Sequence, residues 1–298
     1  MRMPDLDFVH ELPAQFEEIG RGGQAHVHML TDPDHSNQET TPDELYTVPR
    51  VIKIALGASA IMAYVSDEIG ITDPEAIREK TLALVYDHRA TFYHVMDAVV
   101  RDDNMGEWFG NPRPVLDMSN FYLNPGEASA GITYTQDFGA PFSELLKHLD
   151  PNTPTHRRLG YRLVDEYLMF QRASIPYGMM DTTFKLPHNF CVNREFELFN
   201  SDFSEATRDR QIALQTIESR EWEQLPNRRE SAPFLPGWLL PYFNDQLQQH
   251  LTPDSLRNWG VLAAPAINVG AIVMCSDGEG TMLWCEHVTA EWQAAQRE

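Results

Sequence analysis

The hydrophobic period of this chain changes at TDPEAIREK, residues 72–80, and that change limits the fold classes open to it. Upstream, QFEEIGRGGQAHVHML (15–30) reads as a strand entering a glycine-rich turn and leaving as a second strand. Ala25, Val27 and Met29 lie two apart, the spacing that lines one face of a β-strand. RVIKIAL (50–56) continues as an apolar strand with one cation, Lys53, in its middle. At the change of period Thr72 or Asp73 can cap a helix and Pro74 suits the first helical position. Helical periodicity then runs through Leu82, Val85, Phe92 and Val95 or Met96.

Beyond a Gly/Asn/Pro break at 104–114, two strands are expected, around PVLDMSNFYL and AGITYTQDF. GAPFSELLKHL predicts a short helix, and HRRLGYRLVDEYLMFQRASI a longer one with Leu159, Leu163, Tyr167 and Phe170 along a stripe. LPGWLLPYFNDQLQQHL predicts a further helical piece, and INVGAIVMCSDGEGTMLWCEHV a hairpin turning at Ser276 to Gly280. The sum is an α+β chain. A strand-rich first part with one main helix passes through 134–140 into a mostly helical second part, with no internal repeat. Residues 31–49, rich in Pro, Asp, Ser and Thr, read as a long acidic connection inserted between two strands.

With 298 residues the chain is long enough for one large domain or two modest lobes. A formal charge of -21 argues against a surface that tracks nucleic-acid phosphates, and the basic pairs Arg157-Arg158 and Arg228-Arg229 read as solvated surface. No stretch is apolar for the roughly 20 residues of a spanning helix, and the N-terminus lacks the apolar core of a secretory signal. No membrane partner is therefore expected, and the expected location is the cytoplasm. Cys191, Cys275 and Cys285 lack the spacing of a zinc site or a disulfide framework and read as reduced thiols.

NFCVNREFELFNSDF (189–203) holds two short apolar runs around a charged turn, flanked by Asn189 and Asp202 thirteen residues apart. Two oxygen-bearing side chains that flank paired strands can be aimed at one point, which suits a hard cation. Three other pieces precede it. The first is Gly20, Gly22 and Gly23, leading to Ala25 and Val27, where backbone N–H groups can approach a polyphosphate. The second is Lys53 within a strand. The third is Glu79, with Glu75 as a second choice, on the following helix, where a carboxylate can pair with Lys53. Each has a plain alternative: a turn, a lysine in water, a solvated glutamate, a capped loop.

In this order the pieces resemble the protein-kinase-like superfamily, over roughly residues 15–205. Ile19 to Val27 resembles the glycine-rich loop, with Ala25 where the third glycine usually stands, and VIK (51–53) resembles the third-strand lysine motif. ITYTQDFGAPFSELL resembles the fifth strand, the hinge and the first C-lobe helix. KLPHNFCV resembles the end of a catalytic loop, and LFNSDFSEA the strand and metal-binding turn, with Ser204 replacing a glycine. The nearest likeness is to small bacterial kinase-like proteins of the YrbL type, associated with the PhoP regulatory network.

The resemblance implies a bilobal fold, with residues 1–138 as the N-lobe and 139–298 as the C-lobe. Within the C-lobe it implies catalytic and metal loops at 175–205 and a divergent C-terminal extension. It implies ATP and Mg2+ as cofactors. The backbone of Gly20 to Ala25 would cover the phosphates, with Lys53 on the α and β phosphates and Glu79 orienting Lys53. Gln136 and Asp137, with Phe138, would present hinge backbone to adenine, and Asn189 and Asp202 would hold Mg2+.

The chain departs from the pattern at the proton acceptor. Five positions before Asn189 stands Phe184, and a phenyl ring accepts no proton. Asp181 serves only if residues 182–184 bulge out; alternatively it caps the loop. No Ala-Pro-Glu motif follows Asp202. The expectation is an ATP/Mg-binding phosphotransferase with an atypical catalytic loop, acting on an unidentified small-molecule or protein acceptor. The alternatives are a pseudokinase that serves as a regulatory protein-binding module, and an unrelated α+β protein whose acidic surface binds a basic partner.

Overall fold

The structure is a computed structural model that describes residues 4–11, 13–14, 17–21, 25–30, 49–115, 132–181, 189–202, 206–219, 235–258, 273–276 and 282–285. Gly22, Gly23, the acidic stretch 31–48 and Phe184 lie outside them. The chain is mixed α+β and divides into two units. One comprises Pro13–Arg101, Asn111–Gln136 and Asn268–Glu298, the other Met1–Leu12, Asp102–Gly110 and Asp137–Ile267.

The first unit is built on strands β1 (Glu18–Arg21), β2 (Ala25–Met29), β3 (Arg50–Ala55), β4 (Arg113–Pro114) and β5 (Tyr134–Asp137). They form one sheet in the order β1-β2-β3-β5-β4, and β5 carries the chain into the second unit. A buried arginine ties the sheet to the loop beside it. Arg50 donates through Nη2 to the Asn111 carbonyl at 2.6 Å and to Thr135 Oγ1 at 3.1 Å, so its charge is offset by two oxygens in a buried setting.

Helix α1 (Ala58–Asp67) was not anticipated from sequence, since Gly57 precedes it without a capping side chain. It forms because Ile61 and Val65 bury with Leu56, against Tyr64, Ile71, Ile77 and Leu84. Helix α2 (Pro74–Arg101) begins as the sequence predicts: the Asp73 carboxylate accepts from the Ala76 N–H at 2.8 Å. Its buried stripe is Thr81, His88, Thr91, Phe92, Val95 and Ala98, the spacing of one helical face.

In the second unit, α3 (Asp103–Trp108) is capped by Asp102, which accepts from the Asn104 N–H at 3.0 Å. After β6 (Ala140–Pro141) and α4 (Phe142–His148) comes α5 (Pro154–Ser174), the spine of the unit. Leu159, Leu163, Tyr167 and Phe170, the predicted stripe, are all buried. Short strands β7 (Met180–Asp181), β8 (Phe190–Val192), β9 (Leu198–Asn200) and β10 (Ala206–Thr207) pair as β6-β8-β9 and β7-β10. Helices α6 (Arg210–Ser219), α7 (Leu240–His250) and α8 (Pro253–Asn258) follow. A last hairpin, which belongs to the first unit, pairs β11 (Val273–Ser276) with β12 (Met282–Cys285); the turn expected at Ser276 to Gly280 lies, beyond Ser276, outside the described residues.

Helix α7 is fastened to α5 at both ends. The Tyr242 hydroxyl donates to the Asp165 carboxylate at 2.9 Å, and burial with that carboxylate pushes the phenol up to about 12. Arg172 Nη1 lies 2.9 Å from His250 Nδ1, a contact in which the neutral ring must accept. Burial first, and then the Arg172 charge, hold His250 below its ordinary value of 6.5. The folded chain therefore binds fewer protons here than the unfolded chain. This contribution to stability is complete above pH 6.5 and is lost as pH falls below it. Thermal melts from pH 7.5 to 5.5 are expected to lose more stability in the wild type than in His250→Asn, whose amide oxygen accepts without titrating. Parallel pH slopes for the two proteins would rule the mechanism out.

Candidate functional site

Strand pairing sets Gly20 and Lys53 on either side of Val27. In the β2–β3 ladder Val27 stands opposite Lys53 and Ala25 opposite Ala55, and cross-strand partners share a face. Gly20 lies opposite Val27 in β1, just beyond a register shift between Glu18 and Gly20. A Cβ at Gly20 would sit 3.8 Å from Val27, an ordinary contact, and its φ is not positive. Neither packing nor backbone strain demands glycine there.

The Lys53 ammonium lies 5.6 Å from the centroid of the Tyr134 ring, within range of a cation–π interaction. Tyr134 is buried and rests on Phe92 of α2, with ring centroids 5.0 Å apart. The aromatic was missed in the sequence reading, although it alternates with Gln136 in ITYTQDF; what hid it was the β3–β5 neighbour relation, which skips β4. Glu79 and Glu75 are exposed on α2. Glu79 stands two positions before Thr81, about 200° round the helix from the buried stripe. Lys53 is thus brought to an aromatic ring of its own sheet, while the helix glutamate expected to orient it faces solvent.

At the hinge segment, Gln136 is fully buried, and the Asp137 N–H is committed to the Gly110 carbonyl at 2.8 Å. Gly139, two residues on, has no room for a side chain: a Cβ would meet Phe199 and the Val192 carbonyl oxygen, each at 2.7 Å. A backbone oxygen in a ladder cannot step aside cheaply. Gly139→Ala is expected to lower the stability of the second unit by about 1–3 kcal/mol in urea denaturation, and an unchanged midpoint would show that the contact relaxes freely.

Asn189 and Asp202 meet at one end of the β8–β9 hairpin. Phe190 pairs with Asn200, Cys191 with Phe199 and Val192 with Leu198. One residue beyond that register, the Asn189 carbonyl accepts from the N–H of Ser201 at 2.8 Å and of Asp202 at 3.2 Å. Asn189 is buried and the Asp202 carboxylate is exposed. Position is enforced by Phe190, whose ring is held edge-on by Tyr167 at 5.2 Å and Phe170 at 5.4 Å.

The far end of the hairpin is clamped as firmly. The Asn193 side chain accepts from the N–H groups of Glu195 and Glu197, and Phe196 adopts a left-handed φ of 61° while its carbonyl accepts from Arg162 at 2.6 Å. Glu166 of α5 accepts from the Leu198 N–H at 3.0 Å; burial nevertheless pushes this carboxyl above its ordinary value. Asp181 pairs in β7 with Ala206, four residues past Asp202, and its side chain lies outside the described residues.

Neither a protein-family model nor a curated protein sequence matches the chain. Among the described residues no helix is long and apolar enough to cross a membrane.

Proposed function

We propose that the chain is a kinase-like nucleotide-binding protein with a bilobal fold, taking ATP with Mg2+ and transferring its terminal phosphoryl group to an acceptor. The observation that carries this reading is the hairpin that sets a buried Asn189 beside an exposed Asp202, joined through the Asn189 carbonyl. An amide oxygen and a carboxylate on a backbone held by strand pairing fit Mg2+, a cation that takes oxygen ligands in near-ideal octahedral geometry. Bound there with the nucleotide, the ion would neutralise charge on the phosphate oxygens.

Other features agree. Lys53 shares a sheet face with Val27 across from the glycine turn, where an ammonium can serve the α and β phosphates. Gly20 is free of any packing or φ requirement for glycine, as expected where backbone must approach a polyphosphate closely. Tyr134 takes over part of the positioning of Lys53 that a helix carboxylate would otherwise supply. Gln136 and Asp137 end β5, and with Phe138 would meet the adenine through backbone groups.

Phe184, where a proton acceptor is expected, favours a second reading: a pseudokinase that binds nucleotide and presents a regulatory surface. Phosphoryl transfer rests mainly on positioning and charge neutralisation, so both readings need the same nucleotide site. Calorimetric titration of the full chain with ATP, with and without Mg2+, tests that site. Binding that requires Mg2+ is expected, and absence of binding in both conditions rejects both readings. Intact-mass detection of a phosphorylated acceptor then separates the enzyme from the pseudokinase.

A further inference from the structure

We propose that Glu18, His26 and His28 form a binding site for a divalent transition-metal ion of the zinc class, on the hairpin of β1 and β2. The inference is independent of the nucleotide site. It begins with the His-x-His spacing in AHVHM: residues two apart on a strand project to the same face. Glu18 is the direct cross-strand partner of His28, and the register shift beyond it brings its carboxylate to His26 as well. The His26 Nδ1 to Glu18 Oε1 distance is 3.2 Å, and the two imidazole rings lie nearly parallel with centroids 6.2 Å apart.

One ligand atom from each of the three residues falls within 4.8 Å of both others. In a tetrahedral site with bonds of roughly 2.0–2.2 Å, ligand atoms are about 3.4 Å apart, so small side-chain rotations complete the shell. The donor set selects the ion. Two imidazole nitrogens and one carboxylate suit zinc and its neighbours, whereas Mg2+ and Ca2+ favour shells of oxygen. Three protein ligands leave the fourth position for water or for a donor from another molecule.

The site is distinct from the one around Lys53. Val27 shares the face of Lys53, so His26 and His28, one position to either side, belong to the opposite face of the sheet. An ion held there links β1 to β2 on both sides of residues 22–24, and so stiffens the strands that carry the glycine turn.

The test uses the full chain without an affinity tag, freed of metal with a chelator and titrated with zinc alone. Binding of one ion with a dissociation constant of about 10 µM or tighter is expected, unaffected by millimolar Mg2+. Loss of an outer-shell partner alone weakens a metal site 10- to 100-fold, so His28→Ala is expected to weaken zinc binding by at least about 100-fold. Glu18→Gln should weaken it in the same direction. Bound cobalt in the wild type should show the strong visible absorption of a tetrahedral ion. Thermal melts of the metal-free variants confirm folding. No binding by the wild type overturns the assignment; so does wild-type affinity in both variants, which would move the ion to other residues such as Cys191.

Discussion

Asp202→Asn is expected to weaken Mg2+-dependent ATP binding by at least about 100-fold, the equivalent of ~2.7 kcal/mol, with little change in the stability of the chain. The substitution is close to isosteric. The backbone N–H of Asp202, which donates to the Asn189 carbonyl at 3.2 Å, is kept, and the side chain is exposed, so no packing is lost. What disappears is one negative charge among the oxygens available to the ion. Mg2+ sheds water reluctantly and depends on carboxylates to do so; two neutral amides at the hairpin end would leave it hydrated. The measurement is calorimetric titration of both proteins with ATP at saturating Mg2+, alongside thermal melts. Equal affinity in the variant would sink the assignment of Asp202 to the metal. The zinc site provides a control in both directions: Asp202→Asn should leave zinc binding intact, and His28→Ala should leave the Mg2+ requirement for ATP intact.

Phe190→Ala is expected to cost about 3–5 kcal/mol, the usual range for removing a fully buried aromatic side chain. Phe190 is 1% exposed and lies between the edges of Tyr167 and Phe170, the residues that carry the inward stripe of α5. The cavity would open where the site hairpin meets the spine of the second unit. These neighbours have little freedom to collapse into it, since Tyr167 also packs on Phe243 of α7 at 6.3 Å and Phe170 on Phe109 at 5.3 Å. Urea denaturation followed by fluorescence reads the effect, and Phe190→Leu, which keeps most of the volume, should recover more than half of the loss. A cost below about 1 kcal/mol for the alanine would mean that the aromatic cluster does not hold the hairpin. Because Asn189 directly precedes this anchor, the alanine variant should also bind Mg2+ and ATP more weakly than its residual folded fraction accounts for.

Much of the fold was legible because the elements concerned are long or strongly periodic. The strands at 18–21, 25–29 and 50–55, the capped start of α2 at Asp73 and the stripe of α5 all follow from spacing alone. So did the convergence of Asn189 and Asp202, because two short apolar runs around a charged turn pair in only one sensible way. Helix α1 was not legible. It has no side-chain cap, and its apolar run fits a strand as well as a helix until Leu56, Ile61 and Val65 are seen to bury together. The short helices α3, α6 and α8 were missed for a related reason: each is at most ten residues long, too short for a helical period to stand out.

The site divides along the same line. Sequence by itself singled out the residues proposed to carry the chemistry, the glycines, Lys53, Asn189 and Asp202, because residue type and strand spacing are local properties. Tertiary structure alone decided what stands beside them. Tyr134 reaches Lys53 only because β5 inserts next to β3 ahead of β4, a choice of strand order that no local pattern encodes. The outward turn of Glu79 follows from the rotation of α2, whose buried face includes the polar residues Thr81, His88 and Thr91. With polar groups on both sides of the helix, hydrophobicity leaves its rotation undetermined, and only packing against its neighbours sets which carboxylate faces water.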